Sequence, residues 1–377
     1  MKRVVVWVVL AALVVMPVRA APAQVEAKSA ILMDATTGQI LYEQGSHDRL
    51  APASVTKVMT MLLIMEAIDS GKISWEDTVT TSEAAAAKGG SQIYLKMGET
   101  MTVTDMIKSI AVSSANDAAC AMAEHLAGSE AAFVDAMNQR AAQLGMEDTH
   151  FVNCTGLDDD PEAASHLTSA HDIAVMSREL LTKHPDIRKF TTIWMDTIRD
   201  GTFGLSNTNK LVRFYPGATG LKTGFTQSAG YCLSAAAERD GMLLIAVVMG
   251  SETSAQRFTA CKQLLDWGFA NFALVSPQTQ SATVPVELGV RDTVEVLPAE
   301  APQLLIDKSQ KSAVTTEVAL EESAAAPVSK GQRLGTMTVR CGDQILRQIP
   351  MVAAQSVEKL SWWQMFVRVL RRVAMAG

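Results

Sequence analysis

The sequence predicts an α+β fold: an antiparallel sheet packed against a helical cluster, then a small all-β domain and a C-terminal amphipathic helix. Three observations carry this. Strand-like runs stand at both ends of residues 24–275, with helix-patterned sequence between them. Residues 276–355 hold short runs that alternate apolar and polar, the period of half-buried strands. Residues 356–377 end the chain with an apolar pattern confined to one side of a helical wheel.

Residues 1–23 read as a secretory signal. Lys2 and Arg3 give a basic start, and Val4 to Met16 form an apolar run too short for a typical membrane span. Pro17 breaks it ahead of Val18–Arg19–Ala20, and cleavage fits after Ala20 or after Ala23. The other reading is an uncleaved anchor helix, and in both cases the chain leaves the cytoplasm.

"SAILMDATTGQILYEQG" is expected to form a hairpin about Thr36–Thr37–Gly38. "APASVTKVMTMLLIMEAI", residues 51–68, is apolar on nearly every side, the pattern of a buried helix. Lys57 stands near its start, although lysine is seldom buried without a partner. From residue 82 to about 190 the chain is expected to be mostly helical. "SEAAAAKGG", "TVTDMIKSIAVSSANDAACAMAEHLA", "SEAAFVDAMNQRAAQLG" and "TSAHDIAVMSRELLTKH" carry helical apolar spacing, with Ser, Thr and Asp as caps. "TGLKTGFT", "AGYCLSAAAE" and "MLLIAVVMG" predict three strands, the last two joined by a hairpin at Arg239–Asp240–Gly241. A helix from about Ser254 to Phe269 closes the region.

In the second region "TVPVELG", "DTVEVLP", "GTMTVR" and "QILRQIPMV" predict strands. Residues 307–329, rich in Ala, Ser, Glu and Lys, are expected to be a loose loop. On a wheel of about 100° per residue, Trp362, Trp363, Met365, Phe366, Val367, Val369, Leu370 and Val373 share one broad face. Gln364, Arg368, Arg371 and Arg372 take the opposite arc. That suits a helix lying on an anionic membrane surface, aromatics inward and arginines at the headgroups. Docking on its own protein is the alternative.

Composition narrows the function. A formal charge of −7 gives no reason to expect nucleic acid as partner. The chain is 48% hydrophobic, which argues against disorder throughout. Its five cysteines (Cys120, Cys154, Cys232, Cys261, Cys341) are odd in number and include no C-x-x-C pair, so a dense disulfide framework is poorly supported. The six histidines lack metal-ligand spacing, and each reads as a surface or core residue rather than a catalyst. Neither a metal nor a cofactor is expected. Zinc-peptidase, α/β-hydrolase, dinucleotide and P-loop signatures are absent from the sequence.

Serine can be activated without histidine if a neutral amine is near. Ser54 and Lys57 are three residues apart, so on a helix they share a face. Burial and the positive field of a helix N-terminus both disfavour the ammonium form. The backbone N–H of Ser54 can help hold an oxyanion. Ser-x-x-Lys alone is weak, since Ser356–Val357–Glu358–Lys359 matches it too. Two further motifs add weight. Ser114–Ala115–Asn116 interrupts apolar helical runs with residues that bond to nearby backbone, as a break aimed at a cleft would. Lys222–Thr223–Gly224 lies on a predicted strand. There Gly224 would let a substrate backbone approach, and the charge of Lys222 would further lower the pKa of Lys57.

In this order the three motifs resemble those of the penicillin-recognising serine acyltransferases, across most of residues 25–270. "LAPASVTKVMT", "AVSSANDAA", "NCTGLDD", "GLKTGFTQSAGYCL" and "VVMG" look like segments of the low-molecular-mass D-alanyl-D-alanine carboxypeptidases. The layout of signal (1–23), catalytic domain (24–275), small β-domain (276–355) and amphipathic tail (356–377) is similar too. The resemblance implies a β-lactamase/transpeptidase-like fold and release of the terminal D-alanine from peptidoglycan stem peptides ending in D-Ala-D-Ala. It implies acylation by β-lactams, and a place at the outer face of the bacterial cytoplasmic membrane. Ser54 would be the acylated nucleophile, Lys57 its base and Ser114 the proton relay to the leaving D-alanine. Asn116 would bond the substrate amide, Lys222 tune the electrostatics and Thr223 hold the terminal carboxylate. The N–H groups of Ser54 and Phe225 would form the oxyanion hole, where some members carry histidine in place of Phe225. Arg257, by its spacing from Gly250, would be a carboxylate-binding cation. A β-lactamase of the same fold, an endopeptidase with the same chemistry and a non-catalytic envelope binding protein are the rival readings. The class A β-lactamases carry Ser-Asp-Asn where Ala115 stands here, and lack the β-domain and tail.

Overall fold

The computed structural model describes residues 24–159, 161–277, 281–301 and 303–375; the signal reading of residues 1–23 lies outside them. Five strands, Ser29–Asp34 (β1), Ile40–Gln44 (β2), Ala218–Thr226 (β3), Gly230–Arg239 (β4) and Met242–Ser251 (β5), form one sheet in the order β2-β1-β5-β4-β3. Every neighbouring pair is antiparallel. The N-terminal hairpin thus completes a sheet begun by strands from the far end of the region, as the sequence predicts.

The longer helices are Lys57–Asp69 (α1), Val103–Ser113 (α2), Asn116–Ala127 (α3), Glu130–Gln143 (α4), Ala170–Lys183 (α5), Ser254–Asn271 (α6) and Trp362–Met375 (α7). Alternate residues of the sheet serve two cores. Ile31, Met33, Ile245, Val247 and Met249 pack with the helical cluster around α1. Ala30, Leu32, Leu244, Ala246 and Val248 pack with Leu264, Leu265 and Phe269 of α6. Covered on both faces, β5 is buried at every residue, which is why its sequence is a continuous apolar run. α1 threads the first core with Val58, Met59, Met61, Leu62, Ile64 and Met65 fully buried.

The helical stretch is less continuous than expected. In "SEAAAAKGG" only Glu83–Ala86 is helical, ending at the cap residue Ala87, two residues before the glycine pair. The described residues of 144–169 are mostly irregular, with one short 3-10 helix at Pro161–Ser165.

A third core, built by Val284, Val294, Val296, Met337, Val339, Ile349 and Met351 among others, lies within a six-stranded sheet of residues 282–353. Here the loose loop expected over 307–329 is corrected. Val314–Leu320 is an edge strand, paired antiparallel with Arg333–Cys341, and Ala324–Ala325 pairs with Ala282–Glu287. The edge strand's side chains are almost all exposed, so main-chain bonds rather than apolar burial hold it, and composition did not reveal it. Phe272–Val275, at the end of α6, pairs with Leu304–Asp307 in a separate two-stranded sheet.

α7 exposes Trp362, Trp363, Phe366, Val369 and Leu370. Arg368, on the opposite arc, pairs with Asp292 at 2.9 Å and donates to the Gly289 carbonyl at 3.2 Å. The side chains of Arg372 and Val373, also placed on this wheel, lie outside the described residues.

Candidate active site

Ser54 sits in a one-turn 3-10 helix, Ala53–Thr56, that runs straight into α1. Lys57 is the first residue of α1 and is fully buried. Its Nζ donates to Ser54 Oγ at 2.9 Å and to the Thr155 carbonyl at 2.8 Å. Burial pushes the lysine down to about 7, against the opposing influence of Cys154 and Asp117. A neutral Nζ that keeps one N–H on the Thr155 carbonyl can turn its lone pair to the serine hydroxyl.

Two glycines press on the nucleophile turn. A Cβ on Gly156, whose φ is +81°, would lie 1.9 Å from the Ala53 carbonyl oxygen. A Cβ on Gly224 would lie 2.7 Å from the Pro52 carbonyl oxygen and 3.1 Å from Ser54 N. Gly224 thus also lets the protein's own turn approach, beside the room it is expected to leave for a substrate backbone. That contact sets β3 directly beside the nucleophile.

Ser114 ends α2 in the left-handed region, φ +63°, and Asn116 begins α3. This is the break the sequence predicts. Asn116 N donates to the Ser91 carbonyl and Nδ2 to the Gly89 carbonyl, each at 2.7 Å. Ser114 Oγ and Asn116 Oδ1 are buried without a hydrogen-bond partner among the described residues. Buried polar atoms are nearly always paired, so these two are suited to groups a substrate would bring.

On β3, Lys222 is buried and its Nζ donates to the Thr223 carbonyl at 2.8 Å. Burial, then the charges of Lys57 and Arg257, push Lys222 well below the usual lysine range. Burial is the main cause of the Lys57 shift, as the sequence reading expects, and the two amines disfavour each other's charge. Thr223 Oγ1 donates to Thr208 Oγ1 at 2.7 Å, and Thr208 N donates to the Val112 carbonyl at 3.2 Å, linking β3 to the end of α2.

Phe225 is exposed and stacks on Tyr231 with ring centroids 4.3 Å apart. Arg257, on α6, donates from Nη1 to the Gly224 carbonyl at 2.8 Å. Its guanidinium lies over the Tyr231 and Phe258 rings, and its buried Nε has no partner among the described residues. The decoy motif at Ser356 stands apart: Val357 bridges Val328 in the third core, and no helix carries the pair.

Several site residues went unassigned in the sequence. Asn153 Oδ1 accepts from Thr155 N at 3.1 Å and Gly156 N at 2.6 Å, shaping the turn that offers the Thr155 carbonyl to Lys57. An Asn-x-x-Gly turn is readable as a turn. Its part in the site is not, because the atom used is a backbone oxygen. Asp117 accepts from Ile93 N and Leu95 N, tying residues 93–95 to the start of α3.

Comparison with known proteins agrees with this geometry. Residues 16–253 match the D-alanyl-D-alanine carboxypeptidase family, and residues 269–359 match the penicillin-binding protein 5 C-terminal domain. The chain is 43% identical over 354 residues to the D-alanyl-D-alanine carboxypeptidase DacF of Bacillus subtilis, covering 92% of this chain and 89% of that protein. It is similar to the structure of penicillin binding protein 5 from Haemophilus influenzae, with a TM-score of 0.76 and 30% identity, over 90% of this chain and 99% of that one. Penicillin-Binding Protein D2 from Listeria monocytogenes in its ampicillin-bound form gives a TM-score of 0.60 at 33% identity, over 66% of this chain and 99% of that one. The chain belongs to the D-alanyl-D-alanine carboxypeptidase family, serine peptidases with the fold of the penicillin-binding proteins.

Proposed function

We propose that this carboxypeptidase removes the terminal D-alanine from peptidoglycan stem peptides through an acyl-enzyme on Ser54, and that penicillins acylate the same oxygen. The observation that carries the reading is the 2.9 Å contact between Ser54 Oγ and a fully buried Lys57 amine. Lys57 takes the serine proton as Oγ attacks the penultimate D-alanine carbonyl, and the N–H groups of Ser54 and Phe225 hold the oxyanion. Ser114 passes a proton to the departing amine of D-alanine. Water then cleaves the ester and restores the serine. Asn116 bonds the substrate amide, and Thr223 with Arg257 faces the terminal carboxylate; the unpaired Nε of Arg257 supports that role. Lys222 completes the electrostatics beside Lys57, and Gly224 fixes the distance from β3 to the turn. The ampicillin- and cefotaxime-bound forms of the Listeria relative support the β-lactam reading.

Residues 24–275 are the catalytic domain in this reading, 276–355 a spacer and 356–377 a peripheral anchor on the outer face of the cytoplasmic membrane after export. The outward apolar face of α7 supports the anchor. No described helix is long and apolar enough to cross a membrane.

A fluorescent penicillin should label the wild-type chain covalently and leave Ser54→Ala unlabelled; covalent labelling of that variant would sink the assignment. D-alanine release from a stem pentapeptide, set against cleavage of a cross-linked dimer, separates carboxypeptidase from endopeptidase.

A further inference from the structure

His166 is the most buried of the histidines, 3% exposed, and it contacts the nucleophile turn. Its Nδ1 accepts from Val152 N–H at 3.1 Å, so Nδ1 carries no proton and Nε2 does. Nε2 lies 2.8 Å from Thr56 Oγ1. Thr56 Oγ1 in turn donates its only proton to the Ala53 carbonyl at 2.8 Å. Every direction in this chain is therefore fixed: Val152 N–H to Nδ1, Nε2–H to Thr56, Thr56 O–H to Ala53.

The end of the chain is a strained peptide. Ala53 adopts φ +49°, a conformation unusual for a residue with a Cβ, one position before Ser54. Strain of this kind persists only where the surroundings over-determine it. Gly156 presses on the same carbonyl, where a Cβ would also lie 2.7 Å from Thr56 Oγ1. The imidazole is held edge-on by Phe151, with centroids 5.6 Å apart.

We propose that His166 is a positioning residue for the reaction: acting through Thr56, it fixes the left-handed Ala53 peptide and so the aim of Ser54 Oγ at Lys57. The neutral ring is the form the relay needs, since protonated Nδ1 would no longer accept from Val152. The groups that bear on its charge are His150, on the segment bridged to Leu167, and Lys57 on α1. Burial first, then these two charges, push His166 down to about 4, so the relay stays intact throughout the working range of Lys57.

The inference rests on acylation at Ser54, so each measurement uses the full chain with Ser54→Ala beside it. If wild type labels with fluorescent penicillin and Ser54→Ala does not, that reading stands and the variants test His166 alone. Gln places its side-chain N–H near the position of Nε2, whereas Asn reaches only the position of Nδ1. His166→Asn should slow acylation about tenfold to a hundredfold, the effect of a nucleophile misplaced by a fraction of an ångström, with little change in penicillin affinity. His166→Gln should recover most of that rate. Thr56→Val, which deletes the relay hydroxyl at constant shape, should match His166→Asn, and the double variant should be no slower than either single one. Thermal melts of all variants separate a general loss of packing, which would lower Gln and Asn variants alike. Acylation within about twofold of wild type in folded Thr56→Val, or a Gln variant as slow as Asn, would overturn the proposal.

Discussion

Lys57 is bonded to a hydroxyl and a backbone carbonyl, with no carboxylate in its first ring of contacts. Withdrawing an ammonium from water into such a site favours the neutral amine, which is why its titration falls to about 7. Below that pH the protonated lysine cannot accept the Ser54 proton. The second-order rate of penicillin acylation should therefore rise with pH through about 7 and level off above it. A stopped-flow series between about pH 5 and about pH 9 measures this, and a rate still climbing at the upper end would place the base elsewhere. The same shift opposes folding. The unfolded lysine keeps its proton up to about 10.5 and the folded one only to about 7, so stability rises with pH between these values and the burden is greatest at or below the lower one. Lys57→Met should cut acylation by about a hundredfold or more. It should also stabilise the fold by about 1 kcal/mol near pH 6, a trade typical of catalytic groups. A denaturant titration with no such gain would mean that the buried amine is better solvated than its two contacts allow.

At the scale of elements, the nucleophile turn is gripped between the Asn153–Gly156 turn and β3, and the grip depends on missing side chains. Gly156→Ala would place a methyl 1.9 Å from the Ala53 oxygen at a φ of +81°. The turn must then move, at a cost of about 1–3 kcal/mol, and acylation should fall at least about tenfold. Urea unfolding and penicillin labelling of the same preparation test both effects, and a variant normal in both would show that the Asn153–Gly156 turn is free to retreat. These elements also mark what could be read in advance. The helix break at Ser114 was legible because Ser and Asn compete with helix for backbone bonds. β5 was legible because a strand covered on both faces leaves an unbroken apolar run. The Thr155 contact was not, since sequence patterns report side chains and Lys57 leans on a carbonyl. The strand Val314–Leu320 was not, because an exposed edge strand leaves little trace in apolar spacing. That burial dominates the titration of both Lys57 and Lys222 was not legible either, because burial is a property of the fold.

Across the whole molecule, charge and apolar surface are separated. The chain carries −7 overall, so an anionic bilayer repels its body. The attraction expected of residues 24–377 comes from α7, where Arg368 and Arg371 oppose a face led by Trp362, Trp363, Phe366 and Leu370. The pair of Arg368 with Asp292 is exposed and worth little energy, but with the Gly289 contact it sets which arc meets the β-rich domain. The apolar face is left pointing outward, and a contiguous exposed apolar patch calls for a partner. Lipid suits it better than a second protein surface, because two adjacent tryptophans beside arginines match the boundary between headgroups and acyl chains. The full chain should therefore sediment with vesicles rich in anionic lipid, release as salt shortens the Debye length, and bind zwitterionic vesicles far more weakly. Removing residues 361–377 should abolish sedimentation while leaving D-alanine release from a soluble pentapeptide intact. Retained vesicle binding by the truncated chain would reject the anchor, as would a wild-type chain that forms concentration-dependent dimers through α7 and ignores lipid.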